Sequence, residues 1–106
     1  MAFYLVSAVP KPGRLDDLSA RLSHGEFMRL RPFGPTLSAS LQQARIRRDG
    51  VAMWEEEDYC DPPLAEERKA VLDAYFLDLR IEPVSEGEGW RKIVSHPFLF
   101  PDLAED

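Results

Sequence analysis

An Asp-Gly pair at Asp49-Gly50, flanked by stretches of alternating character, constrains this chain more than any other feature. Read as a two-residue type I′ turn, it fixes the pairing on both sides. Arg48 then faces Val51, Arg47 faces Ala52, Ile46 faces Met53 and Arg45 faces Trp54. Further out, Ala44 faces Glu55 and Gln43 faces Glu56. Side chains alternate across a strand, so Ala44, Ile46, Val51 and Met53 share one face, an ordinary core face. Gln43, Arg45, Arg47, Ala52, Trp54 and Glu56 share the other. Aromatic, charged and amide groups together suit a ligand cavity or an interface better than plain solvent.

The chain has 106 residues, which on size grounds is one domain with a modest core. A hydrophobic fraction of 44% and a charged fraction of 30% fit a soluble globular protein. The net charge of −6 argues against nucleic acid, which demands a basic footprint. The single cysteine, Cys60, excludes an intramolecular disulfide and fits a reducing compartment. The opening Met1-Ala2-Phe3-Tyr4-Leu5-Val6 is apolar but has no basic region before it, so no leader peptide is expected. It is too short to span a bilayer. A cytoplasmic protein without membrane partners is the expectation.

The charges are segregated. Between Glu26 and Asp49 lie five arginines and no acid; from Asp49 to Glu67 lie eight acids and no base. Such blocks mark an anion site, a self-complementary surface, or neighbouring strands that neutralise each other. The hairpin itself brings the two blocks together.

Phe3 to Val9 reads as a buried strand, stopped by Pro10-Lys11-Pro12-Gly13. Leu15, Leu18 and Leu22 have helical spacing. Leu30 to Pro35 reads as a loop by its prolines and glycine. In residues 36–48, Leu37, Ala39 and Leu41 alternate before the apolar phase jumps to Ala44 and Ile46, as a bulged strand would. A helix from Ser38 to Ile46 competes with that strand. Val51 to Tyr59 is the partner strand. Asp61-Pro62-Pro63 predicts a helix start with Asp61 as N-cap, followed by Leu64, Val71, Leu72, Tyr75 and Phe76 at helical spacing. Leu77 to Val84 alternates again, with Pro83 near its end. Residues 85–89 are a connector, and Trp90 to Val94 a short element of open type.

The predicted order is strand, helix, strand, strand, helix, strand: an α+β, ferredoxin-like βαββαβ domain over residues 1–84, with an antiparallel sheet carrying both helices on one face. Residues 85–106 form a C-terminal extension that packs on the domain or on a partner. Val9-Pro10-Lys11-Pro12-Gly13-Arg14 leading into a helix, with Trp54-Glu55-Glu56-Glu57 on the third strand, resembles the dimeric α/β-barrel superfamily, nearest its antibiotic-biosynthesis-monooxygenase-like branch. The resemblance covers roughly residues 3–84 as an element order. It implies a homodimer whose sheets pack face to face around a small-molecule pocket. Members include cofactor-free oxygenases, isomerases, haem-degrading enzymes and proteins without known chemistry. No family catalytic set maps onto this chain.

The residues themselves offer a ligand wall of Trp54 and Arg45, with Gln43, Arg47, Glu56 and Arg80 around it. An interface or a solvated sheet face explains the same residues. Arg47 or Arg80 would clamp an anion, and His24 is the candidate proton-transfer group, as histidine titrates near neutrality. His96 is the only other histidine. Glu55-Glu56-Glu57-Asp58 lacks a recognised metal-ligand spacing, so no metal and no cofactor are expected. Cys60 lies among acids that oppose thiolate formation. In the tail, Phe98, Leu99 and Phe100 lie between prolines; they either cover their own core or bind a partner. The expected function is therefore small-molecule binding by a homodimer, with a cofactor-free oxygenase or isomerase as the enzyme class. The rival is a non-catalytic adaptor that uses its charged sheet face and the Phe98-Leu99-Phe100 tail.

Overall fold

A computed structural model describes residues 2–104. The chain forms β1 (Ala2–Pro10), α1 (Leu15–Ser23), α2 (Gly34–Gln42), β2 (Arg45–Ile46) and β3 (Ala52–Asp58). An irregular helix, α3, follows over residues 65–75, with a π-helical stretch at Arg68–Leu72 between two short α-helical turns. Then come β4 (Phe76–Val84) and a short α4 (Glu88–Ile93). The four strands make one antiparallel sheet in the order β2-β3-β1-β4. The α+β class and the antiparallel sheet are as the sequence predicts.

β1 pairs β3 so that Val6 lies opposite Trp54 and Ala8 opposite Ala52. These residues head one contiguous core with Leu18 and Leu22 of α1, Leu37 and Leu41 of α2, and Val71, Leu72 and Tyr75 of α3. Trp54 is fully buried there, tilted against Phe76 at 5.2 Å between ring centres. A buried aromatic pair of this kind contributes area plus ring-edge attraction.

Residues 36–48 differ from the predicted strand. Most of them are helix α2, and the strand shrinks to Arg45–Ile46. Leu37 and Leu41 satisfy both an alternating and an i, i+4 pattern, and Pro35 at the first turn favours the helix. Gly34 lets α2 start hard against the preceding loop: a Cβ there would overlap the Phe27 carbonyl oxygen. The competing helix reading was correct in type and too far along the chain.

The hairpin register is also shifted by one residue. Arg45 lies opposite Met53 and Ile46 opposite Ala52. Arg47 N–H donates to the Val51 carbonyl at 2.8 Å, and Gly50 N–H donates to the Arg47 carbonyl at 2.9 Å. Gly50 has φ 91°. The loop is therefore three residues, a turn closed by a left-handed glycine, and not the two-residue type I′ turn. One residue of slip moves every side chain to the opposite face. Ile46 joins the core with Ala52 and Trp54, while Arg45 goes to the far side with Met53.

That far side has its own cover. Glu55 points there, and its carboxylate accepts from the backbone N–H groups of Gly87 (2.8 Å), Gly89 (2.7 Å) and Trp90 (3.3 Å). The open residue type at 90–94 resolves as α4, bonded at its N-terminal end to a strand carboxylate. A negative group suits the unpaired N–H donors of a helix start. Glycine at 89 suits this approach, since a Cβ would sit 2.9 Å from a Glu55 oxygen and press on that side chain. The tail continues along the β2 edge: Ile46 N–H donates to the Pro97 carbonyl, Leu99 N–H to the Ala44 carbonyl, and Phe98 bridges Arg45. At the opposite edge β4 carries an extra residue at Asp78 (φ 53°), where its register with β1 shifts.

Glu55→Ala is expected to release α4 from the sheet and lower stability by about 2–3 kcal/mol, the scale for a buried charge-assisted set of hydrogen bonds. A red-shifted Trp90 emission in a Trp54→Phe background, together with a lower urea midpoint, would register it; an unchanged midpoint would refute the anchoring role.

Candidate functional site

The predicted ligand wall is not assembled. Trp54 and Glu56 lie on the core face, where the indole Nε1–H donates to Glu56 Oε1 at 3.0 Å. Arg45 lies across the sheet from them, with its guanidinium 3.8 Å above the Phe98 ring and donating to the carbonyls of Val94 and His96. Gln43 caps the C-terminal end of α2 and is half-buried. His24 is exposed at the end of α1. Arg47 and Arg80 both line a groove of about 260 Å³ with Ser7, Val9, Val51 and Asp78. Arg47 is, however, paired with Asp49 in its own turn at 2.7 Å, and holds that carboxyl down at about 2. In the tail, Phe100 is buried in the core, Leu99 packs against it and Phe98 lies under Arg45.

A different constellation is brought together at the end of β3. Because Trp54 faces the core, residues two and four further along, Glu56 and Asp58, face it as well. Glu56 is fully buried and Asp58 nearly so. From α3, Glu67 enters the same region and is also fully buried. Asp58 Oδ2 accepts from the N–H groups of Leu64 (2.6 Å) and Cys60 (3.1 Å). Asp61, the expected N-cap, does not cap α3. Asp58 instead holds the turn, with Leu64 in the left-handed region at φ 65°. Cys60 Sγ donates to Glu67 Oε1 at 3.6 Å. Among the described residues, Glu56 Oε2 and Glu67 Oε2 have no hydrogen-bond partner.

Asp58 and Glu67, but not Glu56, open on a small cavity of about 100 Å³, walled by Pro32, Phe33 and Thr36 on one side and by Glu57, Tyr59, Cys60 and Glu66 on the other. Among the described residues, no Lys, Arg or His lies within ion-pair distance of Glu56, Asp58 or Glu67. Burial pushes the Glu56 carboxyl well above its ordinary range, helped by the charges of Glu67 and Asp58. Burial and a hydrogen bond to Asp58 raise Glu67 to about 7. Asp58 is lowered: burial opposes its ionisation, but donors from Glu67, Leu64 and Cys60 outweigh it. The Glu66 N–H favours a Cys60 thiolate, yet burial and the neighbouring acids leave the thiol raised.

Sequence reasoning missed Glu67 and placed Glu56 on a ligand face with Arg45. The signal was Trp54: taken as a core residue, it carries Glu56 and Asp58 inward by alternation alone.

Larger hollows are shallower and lack such chemistry. One of about 380 Å³ runs along Pro10–Gly13 against Ile46. Another, of about 650 Å³, lies beside Arg47, Arg48 and His96. Compared with known proteins, the chain matches no family model, no curated protein and no solved structure.

The acid cluster sets a pH dependence. An unfolded Glu67 ionises near its ordinary 4.5, whereas the folded one holds its proton to about 7. Between these values the native chain binds a proton that the unfolded chain has lost, so stability falls as pH rises. Glu56 acts in the same direction. With a chelator present, the urea midpoint is expected to decline from pH 4.5 to about 7, and Glu67→Gln to flatten that decline.

Proposed function

We propose that this chain is a small-ligand-binding domain of ferredoxin-like topology whose ligand is a cation held in the acid pocket at the end of β3. Support for the topology is the strand order β2-β3-β1-β4 with every neighbour antiparallel, which is the arrangement of a split βαβ unit. The added α2 in the first crossover is a departure from the six-element minimum.

The observation that carries the function is three buried carboxylates, two of them in the cavity wall, with no cation beside them among the described residues. Burying uncompensated charge is costly, so such groups hold protons or a positive ligand. A cavity near 100 Å³ has room for an ion or a small ammonium group, well below the range of drug-sized ligand sites. Phe33 and Tyr59 in its wall add aromatic surface that suits a cation. An aromatic acid on the hairpin face has less support, because Arg45 and Trp54 lie on opposite sides of the sheet. The oxygenase and isomerase classes lose their ligand wall with it. A homodimer built sheet to sheet would meet α4 over β3 and β1 in place of bare strands.

Thermal denaturation with methylammonium or guanidinium, against sodium at equal ionic strength, tests this reading. The expected result is a rise in melting temperature for the native chain that is lost in Glu67→Gln; saturating ligand at a hundredfold over its dissociation constant adds about 2.7 kcal/mol. Equal rises in both proteins would mean bulk screening and no site. Saturable benzoate binding lost in Arg45→Ala would return the ligand to the hairpin.

A further inference from the structure

We infer that Asp58, Cys60 and Glu67 form a binding site for a divalent transition-metal ion of zinc-like preference, an inference that rests on the acid pocket being the ligand site. The donor atoms of these three residues all lie within 4.8 Å of one another. Bonds of about 2.0–2.3 Å to one tetrahedral ion place donors roughly 3.5 Å apart, so closing the site needs a contraction of about 1 Å, within the reach of side-chain rotation.

An independent observation points the same way. Glu67 is fully buried, and its Oε2 has no partner although its Oε1 already receives the Cys60 thiol. The neighbouring Glu56 likewise holds a buried oxygen without a donor. Buried polar atoms are almost always paired, so the lone Glu67 oxygen beside the cavity marks a missing positive group. A proton can serve one oxygen at a time; a metal ion draws several at once.

The surroundings are those of a ligand set. Asp58 is fixed by two backbone donors to its Oδ2, from Cys60 and Leu64. The same two bonds fold the 58–64 turn so that Cys60 comes back toward Glu67. One thiolate with two carboxylates is too soft a set for magnesium or calcium and fits zinc, cobalt or ferrous iron. Three protein ligands beside an open cavity leave a fourth position for water, the pattern of a reactive site and not of a closed structural one. On binding, the Cys60 thiol proton and the proton shared by Asp58 and Glu67 pass to solvent, and the ion takes their place.

Cobalt(II) titrated into the metal-free full chain tests the assignment, since a cobalt–thiolate bond gives a near-ultraviolet charge-transfer band. The expected result is a band saturating at one ion per chain, with a matching rise in melting temperature and zinc displacing cobalt. Cys60→Ser should abolish the band, and Glu67→Gln should weaken binding by about tenfold or more, each with an unchanged far-ultraviolet circular dichroism spectrum. A band of undiminished affinity in Glu67→Gln would mean a lone thiol site and overturn the assignment. No band and no thermal shift with cobalt or zinc, while methylammonium still stabilises the native chain, would overturn the metal and leave the cation pocket standing. No response to any of them would overturn both.

Discussion

The fold depends on β3 being covered on both faces. Alternation sends Ala52 and Trp54 into the main core, while Met53 and Glu55 go beneath α4. A strand covered twice is normally apolar throughout. This one ends in four consecutive acids, Glu55 to Asp58, three of them buried. Each buried acid therefore needs a partner, and the partners organise what lies around it. Glu55 is satisfied by the start of α4, Asp58 by the turn leading into α3, and Glu56 in part by the Trp54 indole. Among the described acids, the inward pair Glu56 and Glu67 keeps unmatched oxygens.

Much of this was legible in the residues. β1, α1, β3 and β4 follow from period and from their proline and glycine boundaries, because each pattern admits one reading. The region from 36 to 48 did not, since Leu37 and Leu41 fit two periods and tertiary contacts chose between them. The turn was legible as a turn but not as a length. Asp49-Gly50 serves a two-residue and a three-residue loop equally well, and the difference of one residue decided which side of the sheet held Trp54. The candidate site inherited that error. The short element at Trp90 to Val94 stayed open in type for a different reason: α4 is six residues long and rests on a single carboxylate from a distant strand.

The tail shows how a sequence feature can be real and yet face inward. Phe98, Leu99 and Phe100 are apolar because they close the β2 edge and finish the core, with Arg45 laid across the Phe98 ring. Arg45 does engage an aromatic face, as its neighbourhood suggested. The ring belongs to the chain itself.

The extra residue at Asp78 has a consequence for how these molecules behave in company. With β2 closed off by the tail, β4 is the margin of the sheet along which another chain would have to align. Its left-handed kink at Asp78 interrupts that margin near one end, and Pro83, without an N–H, interrupts it near the other. Between them run Arg80 and Glu82, both exposed. A margin so short and so charged gives a neighbouring strand little to zip onto, and concentrated solutions should resist the strand-to-strand growth that leads to fibres.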